Sequence, residues 1–284
     1  TNDAYYGGAV FGTNGSTIDI TNSSLKYNSA VELGGAICMY GTGVVCAGNC
    51  TGSGVAAGKL AVTDGAIGYN KVTSATGKGG GMHCSYSIVT INATTIEQNE
   101  VLEQGGGADI HYSTTSFSDS VLQNNDGGKW GGGIYAGHGE LNMTHTSLIN
   151  NTVKWGGGIY AYSANSAAGT TWQLVVTIRR SSITGNRANP TDHKGGSGML
   201  VYGAVNITMV DSSFIRNPCT GTKGVVYTAK DPIAPTLLLI NVEFQEPIST
   251  IFASASGMSS VSYLGTESCT DAPNQCADNG YTNH

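Results

Sequence analysis

The strongest constraint in this sequence is a short glycine phrase repeated at near-regular intervals. It reads Gly-Gly-small-apolar at Gly7-Gly8-Ala9-Val10, Gly34-Gly35-Ala36-Ile37, Gly79-Gly80-Gly81-Met82, Gly105-Gly106-Gly107-Ala108, Gly131-Gly132-Gly133-Ile134 and Gly156-Gly157-Gly158-Ile159. A looser copy is Gly195-Gly196-Ser197-Gly198-Met199. Successive copies lie 27, 45, 26, 26, 25 and 39 residues apart. The unit is therefore about 25 residues, and two units carry insertions, Gly41 to Gly58 and Ser163 to Thr171. A second phrase follows each glycine run: an apolar residue, two others, then asparagine. Its copies end at Asn28, Asn70, Asn99, Asn124, Asn151, Asn186 and Asn217, the fourth being read as Val121…Asn124. Self-similarity at a fixed period of this size is the mark of a solenoid, whose insertions gather on one side.

Within a unit the apolar residues alternate with period two. Leu141-Asn142-Met143-Thr144 and Val205-Asn206-Ile207-Thr208-Met209 are examples, rich in the residues that strands prefer. No stretch has helical periodicity. Each unit holds about three short strands, and two-residue hairpin signals between them are few. Equivalent strands of successive units then stack in parallel, and parallel crossovers are right-handed almost without exception. The expected fold is an all-β, right-handed parallel β-helix of eight or nine coils. Glycine permits the sharp corner, and one asparagine per coil stacks into an internal ladder.

The GGA(I/V/L) phrase at Gly7-Gly8-Ala9-Val10 and Gly34-Gly35-Ala36-Ile37, alternating with Phe214-Ile215-Arg216-Asn217, resembles the polymorphic outer membrane protein repeat. The resemblance covers roughly residues 5 to 217. It implies a right-handed parallel β-helix on the cell exterior and does not imply an enzyme. Residues 1–265 are read as the β-helix, regular to about 217 and irregular with a cap over 218–265, where prolines 218, 232, 235 and 247 collect. Residues 266–284 are read as a cysteine-containing tail or the start of an EGF-like module.

Composition narrows the function classes. Charged residues are 11% of the chain and the net charge is −6. There is no basic stripe for nucleic acid, and no apolar run of membrane-spanning length. Thr1 stands one short segment before the first repeat, which reads as a processed chain or a fragment. Seven cysteines favour an oxidising, extracellular setting. Cys46, Cys50, Cys269 and Cys276 are disulfide candidates whose pairing the sequence leaves open; Cys46-x3-Cys50 lacks the second ligand pair of a zinc site. Calcium-nonapeptide, phosphate-loop and nucleophile-elbow motifs all fail at required positions, so neither a metal nor a cofactor is expected.

Three constellations remain. Asn14, Asn22, Asn49, Asn92, Asn142, Asn150 and Asn206 head N-x-S/T sequons. Alternation points Asn142 and Asn206 outward. The residues after each glycine phrase form a column expected to face solvent: Cys38, His83, Asp109, Tyr135, Tyr160 and Leu200. On neighbouring rungs His83 and Asp109 would lie about 5 Å apart, a weak catalytic pair of the kind a polysaccharide lyase or hydrolase could use, against the plainer reading of a solvated face. Trp130 and Trp155, adjacent on successive coils, either stack a sugar or cover a corner of the coil. The expected function is structural or adhesive, at the cell surface or secreted, including that of a glycosylated subunit of a surface filament or appendage built by end-to-end or lateral packing of β-helices. Self-association or other extracellular proteins are the expected partners, with carbohydrate as a further one. The alternative is a polysaccharide-binding or polysaccharide-degrading β-helix.

Overall fold

In a computed structural model, residues 2–41, 57–163, 173–189, 195–218, 225–229, 235–245, 252–254, 261–264 and 282–283 are described. Among them there is no helix, so none is long and apolar enough to cross a membrane. Every strand pairing is parallel and joins a strand to its counterpart one repeat away. The protein is a parallel β-helix.

Four rows of strands run along it, and three are long. The fourth, after the ladder asparagines, is made of the short strands Asp3–Tyr6, Ser29–Leu33, Lys71–Val72, Thr152–Val153 and Arg187–Ala188, linked by single bridges at Glu100 and Asp126. The first row follows the glycine phrases: Val10–Thr13, Ile37–Tyr40, Met82–Ser85, Ile159–Ser163 and Met199–Gly203. The second carries the alternating stretches: Thr17–Thr21, Gly58–Thr63, Ser87–Asn92, Leu174–Arg179, Val205–Val210 and Thr236–Ile240. Strands Ala108–Ser118 and Ile134–Thr144 run through both rows and join them into one sheet. The third row, from Ser24–Lys26 to Glu243–Gln245, holds the apolar-x-x-Asn phrases in a separate 8-stranded sheet. Pairing continues beyond residue 217: Phe252–Ser254 joins Val226–Ala229, Val261–Leu264 joins Thr236–Ile240, and Thr282–Asn283 joins Val261–Leu264.

Alternation decides which side chains enter the coil. In Val205–Val210 successive residues are buried and half-buried in turn. The interior is a column of aliphatic side chains, among them Ile37, Ile67, Met82, Ile91, Ile110, Leu122 and Leu141, with Phe117 and Phe214. Each such side chain contributes about 1.5–3 kcal/mol on burial. The close approach of the corners explains the glycines. Gly131 has φ +67°, and a Cβ there would collide with the Ile134 carbonyl; at Gly132 it would meet the Gly157 oxygen at 2.5 Å and the Thr152 oxygen at 2.7 Å.

The asparagine ladder is present, with one member different from the sequence reading. It runs Asn28, Asn70, Asn99, Asn125, Asn151, Asn186, Asn217. Asn124 is outside it: its residue is exposed, with φ +54°. The buried apolar residue of that copy is Leu122, which pairs with Ile96 and Leu148, so the phrase is Leu122…Asn125. The inner members Asn70, Asn99, Asn125, Asn151 and Asn186 all make the same bonds. Asn125 Oδ1 accepts from the Asn99 backbone N–H at 3.1 Å and from Asn99 Nδ2 at 3.0 Å. Its Nδ2 donates to the Ile96 carbonyl at 3.0 Å and to Asn151 Oδ1 at 2.9 Å. Asn2 extends the ladder, donating to Asn28 Oδ1 at 3.3 Å. A second internal ladder, of hydroxyls, lies at the turn before the third row. Thr94 N–H donates to Ser120 Oγ, Thr146 N–H to Ser181 Oγ and Ser181 N–H to Ser212 Oγ, each at 3.1 Å. These residues stand two positions before Ile96, Leu122, Leu148, Ile183 and Phe214 in the order Thr94, Ser120, Thr146, Ser181, Ser212.

Both insertions leave from the corner between the first and second rows. One opens after Gly41 and closes at Gly58, opposite Ser87; the other opens after Ser163 and closes before Leu174. Cys46, Cys50, Cys269, Cys276 and Asn49 lie outside the described residues. Cys38 and Cys84 are buried free thiols.

Candidate functional site: a sealed seam of histidine, aspartate and aromatic rings

The column expected to face solvent is buried. Cys38, His83, Asp109, Tyr135, Tyr160 and Leu200 stand in register on successive rungs, and none is more than 9% exposed. The reason lies in the glycine corner. The positive φ at Gly79, Gly105, Gly131 and Gly156 turns the preceding residue, Lys78, Gln104, Trp130 or Trp155, towards this column. Two residues after the column, Ser85, His111, Gly137, Tyr162 and Tyr202 form the opposite wall. The walls pack over the floor: Trp130, Trp155, Tyr162 and Tyr202 close on Tyr135, Tyr160, Leu200 and Tyr227. The outer side of the first row is thus a second core, which period-two alternation alone could not reveal.

His83 and Asp109 do meet. His83 Nδ1 lies 2.9 Å from Asp109 Oδ1. A third residue joins them: His111 Nε2 is 3.0 Å from the same oxygen and 3.3 Å from Gln104 Oε1. An ionised carboxylate only accepts, so His83 Nδ1 and His111 Nε2 both carry protons and donate to it. Burial pushes the Asp109 carboxyl up, but the charge of His111 and the hydrogen bonds from His111 and His83 outweigh it and hold the group well below the usual carboxylate range. Burial lowers His83, against the opposing pull of Asp109, so its imidazole is neutral at pH 7. Asp109 Oδ2 is buried with no hydrogen-bond partner. His111 was legible in the sequence, since Asp109-x-His111 on a strand places both on one face.

Cys38 precedes His83 in the column. Its burial, with the nearby Asp109 charge, pushes the thiol up to about 12. A protonated thiol is a poor nucleophile. Of the three residues near the carboxylate only His111 reaches the surface, with its side chain 17% exposed. Among the described residues no group of three or more His, Cys, Asp or Glu side chains is arranged to hold a metal ion.

The rings further along the seam face one another. Tyr135 and Tyr160 stack at 5.3 Å and 7°, and Trp130 and Trp155 lie 5.7 Å apart at 31°. Lys154 Nζ sits 4.3 Å from the Trp155 ring centroid and Lys129 Nζ 5.6 Å from that of Trp130. The tryptophans belong to the corner that covers the seam, with cation–π contacts on their outer side.

Of the sequon asparagines, Asn22 and Asn150 are exposed and Asn14, Asn92, Asn142 and Asn206 half-buried. Asn92, Asn142 and Asn206 are all on the outer face of the second row. Compared with protein-family models, with curated proteins and with solved structures, the chain matches none.

Proposed function

We propose that the chain is a non-enzymatic structural or adhesive β-helix of the cell exterior, of the polymorphic outer membrane protein repeat type, that works by association with its own kind or with other surface proteins. The observation that supports it best is the seam. The side chains best suited to chemistry, Cys38, His83 and Asp109, are closed into a second core and hold neighbouring coils together. What remains outside is a long, regular set of faces, as a scaffold requires. Electron microscopy of the native material tests this. Particles joined in series or side by side are expected; isolated monomers with no contacts would sink the reading.

One observation favours the alternative, a β-helix that processes polysaccharide. His111 reaches the surface while hydrogen-bonded to buried Asp109, an arrangement that can support a general base. On that reading the purified protein turns over a polysaccharide and His111→Ala abolishes turnover without unfolding the coil.

A further inference from the structure

The second row gives a flat outer face whose positions can be followed rung by rung. One column runs Thr17, Lys59, Ile88, Thr114, Glu140, Val175, Asn206, Thr236. Two residues along is the column Asp19, Ala61, Thr90, Ser116, Asn142, Thr177, Thr208. Two further is Thr21, Thr63, Asn92, Ser118, Thr144, Arg179. Asn22 follows Thr21 at the turn that bounds this face, exposed and with φ +53°.

Four sequons therefore fall on alternate rungs. Asn22 belongs to the rung of Thr17–Thr21, Asn92 to that of Ser87–Asn92, Asn142 to the second half of Ile134–Thr144 and Asn206 to Val205–Val210. The rungs between them hold Thr63, Ser118 or Ser116, and Thr177 or Val175 at the neighbouring positions. From Asn92 to Asn142 to Asn206 each step is two rungs, about 10 Å, and two residues, about 6.6 Å, making about 12 Å along a diagonal. A pyranose with its substituents is wider than one rung of about 4.8 Å, so adjacent rungs could not each carry one, while alternate rungs can. The amide oxygens are also oriented. Ser118 Oγ donates to Asn92 Oδ1 at 2.8 Å, and Thr236 Oγ1 to Asn206 Oδ1 at 2.6 Å.

We infer that Asn22, Asn92, Asn142 and Asn206 carry N-linked glycans that form one diagonal strip over the second row. This rests on the extracellular part of the proposed function. The donor is an oligosaccharide held as a lipid pyrophosphate. The Asn Nδ2 forms a bond to the sugar C1 as the C1–oxygen bond to pyrophosphate breaks. The lipid pyrophosphate leaves with the bonding pair, and one amide proton passes to a base of the transferase. Nothing is oxidised or reduced. The strip keeps this face in water, so contacts between molecules must use the seam side, the third and fourth rows or the coil ends.

The test is glycopeptide mapping of the protein purified from its native source, with peptide N-glycanase in heavy-oxygen water. Labelled aspartate at positions 22, 92, 142 and 206 is expected. Unlabelled asparagine at those positions overturns the inference. In the native host, Asn142→Gln and Thr144→Ala should each remove the mass of one glycan and leave the melting temperature unchanged; full mass retained in both overturns the assignment of Asn142. The outcome is separable from that of the proposed function. Glycosylated monomers keep the strip and sink the assembly, and unglycosylated filaments do the reverse.

Discussion

Replacing Asn125 by alanine should destabilise the protein far more than replacing its neighbour Asn124 by glycine. Asn125 makes four side-chain hydrogen bonds inside the coil. Asn125→Ala takes from the buried Asn99 backbone N–H its partner at 3.1 Å, and from the Ile96 carbonyl its amide donor at 3.0 Å. Asn99 Nδ2 keeps its bond to the Ile67 carbonyl, and Asn151 Oδ1 keeps the one from the Asn125 backbone. Two buried groups are stranded, each at about 1–3 kcal/mol, giving roughly 2–6 kcal/mol in all. For a chain of this size that lowers the melting temperature by roughly 3–10 °C. Asn124 is exposed at φ +54°, where glycine is at ease, so Asn124→Gly should stay within about 0.5 kcal/mol. Calorimetric melting measures both, and amide exchange at Asn99 reports any local opening. Equal melting of the two variants, or a larger loss for Asn124→Gly, would refute the ladder register.

Acid should weaken the seam in two stages. His83 is lowered by burial, so the unfolded chain binds its proton first, and stability falls as pH drops below about 6.5. Asp109 is held below its ordinary range, so its contribution is present above about pH 4 and is lost as pH falls further. Melting temperature against pH measures this, and Asp109→Asn should remove the lower stage; identical profiles for the two proteins would contradict it. At the glycine corner, Gly132→Ala should cost about 1–3 kcal/mol or prevent folding, because its Cβ meets two backbone oxygens. Gly137→Ala should be milder, since its Cβ approaches no nearer than 3.1 Å, to the His111 ring. Denaturant titration of the two variants compares them, and a larger loss at Gly137 would be the wrong order.

The sequence by itself determined the parallel β-helix, because a repeat that buries one side chain in two has to find its neighbours one period away. Glycine at the corners and one ladder asparagine per coil followed from local chemistry: only glycine fits the close approach at Gly132, and an amide can both donate and accept along a stack. The register within one repeat was harder. Val121 and Leu122 are both apolar, and Asn124 and Asn125 are both asparagine, so the phrase could be read one residue early; pairing of Leu122 with Ile96 and Leu148 decided it. The hydroxyl ladder at Thr94, Ser120 and Thr146 was hidden because serine and threonine are common throughout the chain. The seam could only come from tertiary structure. Period two says that His83, Asp109 and Tyr135 point away from the coil's interior. It does not say that the corner before Gly105 and Gly131 folds back over them. That closure needs the positive φ of the glycines and the bulk of Gln104, Trp130 and Trp155 together, and it turned an expected surface into a second core.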